Sequence, residues 1–165
     1  METINLTYFI FIFFLSTSII VYKGFVHQIK RKTPTIFKPK LSLIIASKNE
    51  EVNINSLIDS LEQLDYPNEN LEIIIVDDNS TDKTAELIQS RISGKINFKL
   101  MDANKKEIDG KKGALSIGIK NAKNNFIVIT DADCRPDSNW LNAMAGVLDY
   151  GYDFVFGVSP IESGT

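Results

Sequence analysis

The sequence predicts an α/β protein in which a mostly parallel β-sheet carries helices on both faces, preceded by one N-terminal transmembrane helix. Short apolar runs rich in isoleucine and valine alternate with segments of helical periodicity, which is typical of a parallel sheet covered by helices. Acidic residues directly follow two of these runs, at the strand ends where such sheets bind ligands. A long uncharged stretch precedes all of these elements.

The uncharged stretch covers residues 4–22. As a helix it would be about 28 Å long, close to the thickness of the hydrocarbon core of a bilayer. A buried soluble helix is the alternative, but a helix that is apolar all round favours a membrane span. A cleaved signal peptide is disfavoured because no basic residue precedes the apolar run and no small-residue cleavage site follows it.

Basic residues gather after this stretch, at Lys23 and in the run from Lys30 to Lys32. Positive flanks stay in the cytoplasm, so the rest of the chain is expected to face the cytoplasm from the inner (plasma) membrane. The predicted organisation is a transmembrane anchor over residues 1–26, a basic juxtamembrane linker over 27–40 and a domain over 41–165.

Beyond residue 40, apolar runs bounded by turn-forming residues predict five strands. The third is less hydrophobic and is expected near an edge of the sheet. Ser80 or Thr81 is expected to cap the helix that carries Ile88 and Ile92. The predicted strands cover residues 41–46, 71–76, 96–101, 126–130 and 153–158, and helices are predicted over 51–64, from about 82, from about 111 and over 138–148.

The composition excludes several function classes. The 165 residues carry a net charge of −3, whereas nucleic acids are usually bound by a basic surface, so no nucleic-acid partner is expected. His27 is the single histidine and precedes the predicted domain, which disfavours a Ser-His-Asp or Cys-His catalytic system. Cys134 is the single cysteine, so the chain has no intrachain disulfide.

Polar segments follow three of the predicted strands, at residues 47–50, 77–79 and 131–133. They are expected to meet at one edge of the sheet, where the carboxyl ends of parallel strands lie together. Asp131 and Asp133 can form a turn or helix cap, or can hold a hard divalent cation such as Mg²⁺ or Mn²⁺. Two carboxylates leave the shell of such a cation incomplete, so a diphosphate would have to supply further oxygens.

Two other features have both a structural and a functional interpretation. Asp77 and Asp78 can cap the following helix, or can accept hydrogen bonds from a nucleoside, as an acid does in Rossmann sites. No glycine-rich phosphate loop follows the first strand, which disfavours hydride transfer. The segment "GKKG" at 110–113 opens a predicted helix, where Lys111 is either solvated or faces a phosphate.

Four linked motifs resemble those of the family-2 glycosyltransferases, which have the GT-A fold. The motifs occur in the family's order and with its spacing, and the resemblance covers nearly all of residues 41–160. The matching stretches are "LSLIIASKNEE", "LEIIIVDDNSTDKT", "DGKKGALSIGI" and "FIVITDADCRPDSNWL".

The resemblance implies a role for each matching residue. The loop over residues 46–50 is similar to the wall of the base and ribose pocket, and Asp78 to the residue that hydrogen-bonds the base, usually uracil. Lys111 is similar to the basic residue near the diphosphate. The implied donor-binding residues are Ala46, Ser47, Asn49, Glu50, Asp77, Asp78, Lys111 and Asp131, and the implied ligands of Mg²⁺ or Mn²⁺ are Asp133 and Asp131.

The implied function is metal-dependent, inverting transfer of a sugar from a nucleotide-diphosphate donor, usually a UDP-sugar, to an envelope, lipid-linked or polysaccharide acceptor. In inverting members the general base lies well beyond the metal motif, so the catalytic base is expected beyond Thr165. The chain is therefore similar to the donor-binding part of a longer protein. The alternatives are a non-catalytic nucleotide-sugar-binding module and a membrane-tethered interaction domain without a ligand.

Overall fold

A computed structural model describes residues 2–29, 38–104, 106–149 and 151–157 of the protein. The chain divides into two compact units, residues 1–34 and residues 35–165. Helix α1 (Glu2–Ile29) forms the first unit, and the second contains the sheet with its helices. Most of the predicted linker lies outside the described residues.

Helix α1 overlaps the predicted anchor, and two of its hydroxyl groups donate to backbone carbonyls of the same helix. Ser16 Oγ donates to Phe13 O at 2.9 Å, and Thr17 Oγ1 donates to the same oxygen at 3.0 Å. Over the described residues, none of the helices has the length and apolar character that crossing a membrane requires. The predicted transmembrane anchor is therefore not supported.

Four parallel strands form the sheet in the order β3-β2-β1-β4. β1 (Leu41–Ser47) lies between β2 (Leu71–Asp77) and β4 (Phe126–Asp131), and β3 (Phe98–Asp102) forms an edge, as its weaker hydrophobicity predicts. β1 and β2 are buried at almost every position, because helices cover both faces of the sheet. The prediction of an α/β fold with a parallel sheet is confirmed.

The remaining helices are α2 (Ile54–Glu62), α3 (Thr84–Ile92), α4 (Lys111–Lys120) and α5 (Trp140–Leu148). They cover the two faces of the sheet through two separate apolar clusters. Buried residues of α2, α3 and α5 pack in one cluster with Leu43 and Ile73 of the sheet. Residues of α4 pack with Ile44 and Val76 on the other face. The predicted placement of helices on both faces is therefore also confirmed.

Two helix starts differ from the prediction because backbone turns precede them. α2 begins at Ile54 rather than at residue 51, since Glu50 O accepts the N–H of Ile54 at 2.9 Å and residues 51–53 form a turn. Neither Ser80 nor Thr81 caps α3. Instead, Asp82 Oδ1 accepts the N–H of the first residue of α3 at 3.0 Å.

The fifth strand, predicted over residues 153–158, is not formed in the part of it that the structure describes. Residues 151–157 contain a turn and irregular backbone, and the side chains of Phe154 and Phe156 are exposed. Alternating apolar residues form a strand only when a neighbouring strand accepts the backbone hydrogen bonds. No such partner pairs with these residues in the described parts of the chain.

Helix α4 approaches the sheet closely at Gly118. A Cβ atom at this position would lie 2.4 Å from Ile44 Cγ2 and 3.2 Å from Val76 Cγ2. Both distances are shorter than ordinary carbon contacts, so the backbone of α4 can lie this near the sheet only because residue 118 lacks a side chain. The approach helps to determine how far the start of α4 lies from the ends of the strands.

We predict that Gly118→Ala lowers the free energy of unfolding by about 1–3 kcal/mol, the usual effect of overpacking a core. The sign of this change is informative, because alanine is more favourable than glycine in a helix by about 1 kcal/mol. Helix propensity alone would therefore make the variant more stable than the wild type. Urea denaturation followed by circular dichroism measures the change. Ser116→Ala in the same helix is the matched control, with an expected change below about 0.5 kcal/mol. A Gly118→Ala variant as stable as the wild type would contradict the close approach.

Candidate functional site

The register of the sheet brings the candidate residues to one edge. Ser47 is paired with Asp77 across β1 and β2, and Ala46 is paired with Asp131 across β1 and β4. The N–H of Asp78 donates to Ser47 O at 2.8 Å, which extends the alignment one residue beyond β2. The three polar segments that were predicted to meet at the carboxyl edge of the sheet therefore do so.

Strand alternation divides these residues between the two faces of the sheet. Asp78 and Asp131 lie on the face covered by α4, where their carboxylates form ion pairs with Lys106 and Lys111. Asp77 is offset from Asp78 by one residue, so it lies on the face covered by α2 and α3. Asp78 and Asp131 therefore share the α4 face, and Asp77 lies on the opposite face.

Asp78 is a buried carboxylate that is paired with a lysine whose side chain is mostly covered. Its side chain is 4% exposed, and its Oδ1 accepts a hydrogen bond from Lys106 Nζ, whose side chain is 13% exposed. Lys106 lies in the connection between β3 and α4. Because a buried charge without a partner is strongly destabilising, each member of this pair stabilises the other. The pair holds the carboxylate of Asp78 in place at the end of β2.

Lys111 is the first residue of α4, and its Nζ lies 2.5 Å from Asp131 Oδ1. The side chains are 52% and 50% exposed, so this ion pair is open to solvent and to a ligand. Gly110 adopts a φ of 73° before the helix, a conformation that favours glycine. A Cβ at Gly113 would lie 1.8 Å from Ile108 O. The two glycines therefore permit the tight turn that brings Lys111 to the end of β4.

Ser47 and Asp77 lie at the ends of β1 and β2 and are almost completely buried. Asp77 Oδ2 accepts the N–H of Ser80 at 3.1 Å, which closes the turn after β2. Asp77 Oδ1 and Ser47 Oγ are buried without a hydrogen-bond partner. Since buried polar atoms are usually satisfied, these two atoms are candidates for contact with a water molecule or a ligand.

The loops after β1 and β2 are joined by reciprocal hydrogen bonds. Asn49, with a φ of 55°, accepts the N–H of Thr81 on its Oδ1 at 2.8 Å and donates its own N–H to Ser80 Oγ at 3.0 Å. The N–H of Glu50 donates to Thr84 Oγ1 at 2.8 Å. Asn49 and Glu50 thus hold the two loops together, so the predicted wall of a nucleoside pocket is a stable local structure.

Asp82 contributes to the same junction. Its Oδ1 accepts from Thr84 Oγ1 at 2.6 Å, and its Oδ2 accepts the N–H of Glu51 at 3.2 Å. The side-chain hydrogen bond from Thr84 is the main reason why the pKa of Asp82 lies below its usual value, and the backbone N–H groups of Thr84 and Glu51 lower it further. The charged form of Asp82 therefore stabilises the start of α3.

Asp133 lies beyond β4, in a turn that the N–H of Cys134 closes by donating to Asp131 O at 3.2 Å. The side chain of Asp133 is exposed, and its Oδ1 lies 3.8 Å from Cys134 Sγ. The structure therefore places Asp131 and Asp133 in one short turn, with the carboxylate of Asp133 open to solvent.

A hard divalent cation fits the chemistry of these two side chains, since such ions prefer carboxylate oxygens. In the described parts of the chain, no group of three or more histidine, cysteine, aspartate or glutamate side chains could hold a metal ion. Asp131 also shares its Oδ1 with Lys111. A cation bound here would therefore need oxygen ligands from a substrate, as the sequence indicates.

Comparison with known proteins identifies the family of the chain. The family model described as "Glycosyl transferase family 2" matches residues 42–165. The chain belongs to glycosyl transferase family 2. It is 35% identical over 103 residues to the beta-monoglucosyldiacylglycerol synthase of Nostoc sp., covering 62% of this chain and 22% of that enzyme.

A second similar protein is the GalNAc(5)-diNAcBac-PP-undecaprenol beta-1,3-glucosyltransferase of Campylobacter jejuni. It is 32% identical over 126 residues, which cover 75% of this chain and 39% of that protein. The chain thus spans well under half the length of these curated relatives.

Solved structures of similar proteins have the same fold. TarS of S. aureus in complex with UDP-GlcNAc has a TM-score of 0.58 and 28% identity, over 67% of this chain and 31% of that chain. The mannosyltransferase PcManGT of Pyrobaculum calidifontis, in complex with GDP-Man and Mn²⁺, has a TM-score of 0.66 and 26% identity, over 81% and 40%. The GT-A-like fold implied by the sequence resemblance is therefore confirmed.

Two residues at this edge escaped the sequence analysis. Lys106 forms the buried pair with Asp78, and Arg135 contacts the backbone of the turn that contains Asp133. Lys106 belongs to a lysine-rich polar segment in which the sequence does not distinguish a buried lysine from a solvated one. Arg135 directly follows the acidic motif, and its proximity to two carboxylates is a signal that could have been used.

We predict that Lys106→Met lowers the free energy of unfolding by about 3 kcal/mol, because Asp78 is left buried and without its partner. The double variant Asp78→Asn/Lys106→Met removes both charges and should recover most of this loss. Urea denaturation of the nucleotide-free protein measures both. Lys120→Met is the matched control, since Lys120 pairs with Glu107 on the exposed surface and should contribute less than about 0.5 kcal/mol. Equal effects of Lys106→Met and Lys120→Met would contradict the buried pair.

A second prediction concerns pH. The pKa of Asp82 is lower in the folded protein than in the unfolded chain, so Asp82 stabilises the fold above its unfolded pKa and this contribution disappears as the pH falls through its folded pKa. The stability difference between wild type and Asp82→Ala should therefore be present at pH 7 and decrease in acid. Urea denaturation at several pH values measures it. A difference that stays constant or grows in acid would show that the charge of Asp82 is not responsible.

Proposed function

We propose that the chain is the donor-binding part of an inverting, metal-dependent glycosyltransferase. In this proposal it binds a nucleotide-diphosphate sugar, specifically a UDP-sugar, whose sugar is transferred to a lipid-linked, envelope or polysaccharide acceptor. The observation that carries the proposal is the convergence of Asp78, Lys111 and Asp131 on the α4 face of the carboxyl edge. Membership of glycosyl transferase family 2 supports the same reading.

The chemistry of these groups matches the parts of a nucleotide-sugar donor. A carboxylate such as that of Asp78 can accept a hydrogen bond from a base N–H, and the wall at Asn49 and Glu50 would flank the base and ribose. Lys111, at the N-terminus of α4, suits the negative charge of a diphosphate. Asp131 and Asp133 would hold Mg²⁺ or Mn²⁺, which when bound stabilises the negative charge of the departing nucleoside diphosphate.

The donor and acceptor classes are suggested by relatives. TarS has been solved with UDP-GlcNAc, and PcManGT with GDP-Man and Mn²⁺. The names of other relatives specify a glucosyldiacylglycerol product, an undecaprenol-linked acceptor and a poly(ribitol-phosphate) acceptor. We therefore propose an acceptor that is either carried on a lipid, and hence reached at a membrane surface, or is a cell-envelope polymer.

A second candidate function is a nucleotide-sugar-binding module without transferase activity. It is favoured by the contacts of the carboxylates on the α4 face, since Asp78 and Asp131 are each paired with a lysine and neither is placed to accept a proton from an acceptor. In the inverting mechanism the base would come from the predicted position beyond Thr165. Measuring sugar transfer separates the two candidates, since both require donor binding.

The experiment that tests donor binding is calorimetry with Mn²⁺, UDP and both together, with GDP as a comparison. Because the two protein carboxylates leave the metal shell incomplete, Mn²⁺ alone should bind weakly, and UDP and Mn²⁺ should each tighten the other by the same factor. We expect this coupling to be at least about tenfold, within the usual range of such effects. Asp133→Asn should abolish the coupling and leave most of the metal-free UDP affinity intact.

Asp102→Asn is the matched control, because Asp102 lies at the end of β3 on the same edge and is exposed but is not a proposed ligand. It should retain the coupling of the wild type. Absence of coupling in folded wild-type protein would overturn the metal-dependent reading. Tighter binding of GDP than of UDP would overturn the choice of a UDP-sugar.

A further inference from the structure

Arg135 makes four hydrogen bonds that connect two separate segments of the edge. Its Nη1 donates to Cys134 O at 2.7 Å and to Ala132 O at 3.3 Å, both within the turn that contains Asp133. Its Nη2 donates to the backbone oxygen and to the Oδ1 of Asn53, each at 3.1 Å. One guanidinium group therefore holds the turn after β4 and the residue that precedes α2.

Asn53, which accepts two of these hydrogen bonds, is itself hydrogen-bonded to Glu50 in the loop after β1, which forms the proposed wall of the nucleoside pocket. Asn53 Nδ2 donates to Glu50 Oε2 at 2.8 Å, and the N–H of Asn53 donates to Glu50 O at 2.9 Å. The N–H of Glu50 then reaches Thr84 at the start of α3. A continuous series of hydrogen bonds thus runs from the turn of Asp133, through Arg135 and Asn53, to the loops after β1 and β2.

We propose that Arg135 is a positioning residue that fixes the turn carrying Asp131 and Asp133 against the nucleoside wall, and so couples metal binding to nucleotide binding. This proposal rests on the proposed function for its second half, because it assumes that the turn holds a cation and the wall holds a nucleoside. Its first half, that Arg135 holds the turn in one conformation, concerns the protein without any ligand.

The chemistry of arginine suits this role. The guanidinium group is planar and offers several N–H donors in a fixed geometry, so two donors can satisfy the turn while two others reach Asn53. Methionine keeps much of the length of the side chain but has no donor. Lysine keeps the charge but is a single ammonium group, which cannot reproduce the fork.

Cys134 provides a probe of the turn that requires no ligand. It is the single cysteine of the chain, is half-buried, and lies between Asp133 and Arg135. We expect Arg135→Met to raise the rate at which a disulfide reagent modifies Cys134 by about tenfold, the scale that loss of a hydrogen bond to a charged group produces. Loss of a nearby positive charge alone would slow the reaction, because the thiolate is the reactive form.

Arg91→Met is the matched control. Arg91 pairs with Asp59 and Glu62 between α2 and α3 and has no contact with the turn among the hydrogen bonds described. It should leave the rate of thiol modification unchanged. Arg135→Lys should react at a rate between those of the wild type and Arg135→Met, since it restores the charge and one donor.

The second measurement is the coupling between Mn²⁺ and UDP in the full chain, by calorimetry. We expect Arg135→Met to reduce the coupling factor about tenfold, with the affinity for metal-free UDP close to that of the wild type. A merely structural arginine would lower the unfolding midpoint without changing the coupling. Arg91→Met again serves as the control and should retain the coupling.

Four outcomes decide the proposal. Faster thiol modification together with reduced coupling in Arg135→Met supports it. Unchanged or slower modification overturns it, because the turn then keeps its conformation without Arg135. Faster modification with undiminished coupling overturns the link to the donor site. If the wild type shows no coupling, the proposed function fails, and the thiol rates still decide whether Arg135 holds the turn.

Discussion

The candidate site depends on the parallel pairing of β1 with both of its neighbours. Ser47 lies beside Asp77 and Ala46 beside Asp131 because β1 pairs with β2 and β4 in fixed registers. A slip of one residue in either pairing would move a carboxylate to the other face of the sheet. The buried leucines and isoleucines of β1 and β2 prevent such a slip, since it would expose them. The apolar core is therefore what positions the polar edge.

Charge balance is the second constraint on this edge. Asp78 and Asp131 lie on one face, at the ends of the two strands that flank β1, and each is paired with a lysine. Lys106 lies in the connection between β3 and α4, and Lys111 is the first residue of α4. The two pairs differ in environment, since that of Asp78 is buried and that of Asp131 is half-exposed. A buried pair favours a fixed acceptor, whereas an exposed pair can exchange partners with a ligand. This difference agrees with the proposed donor site, in which Asp78 would accept a hydrogen bond from the base and Lys111 would contact the charged diphosphate.

The loops at this edge are joined by side-chain hydrogen bonds. Asn49, Asp82 and Arg135 use side-chain hydrogen bonds to join segments that are distant in the sequence. Loops joined in this way lose little further conformational freedom when a ligand binds, which favours affinity. Family membership and the proposed donor site are consistent with loops that are joined in this way.

The sequence by itself determined the fold class, the order of the elements and the edge at which the polar segments meet, because apolar periodicity and strand–helix alternation are local signals. It also predicted, through their motifs, that Asp78, Lys111, Asp131 and Asp133 lie at this edge, where the structure places them. Only the tertiary structure decided which residues pair with them and which predicted elements form. Lys106, Arg135 and the close approach at Gly118 depend on contacts between segments far apart in the chain. The strand predicted at 153–158 is not formed over its described residues, 153–157, for the same reason, since a strand requires a neighbour that local sequence does not specify.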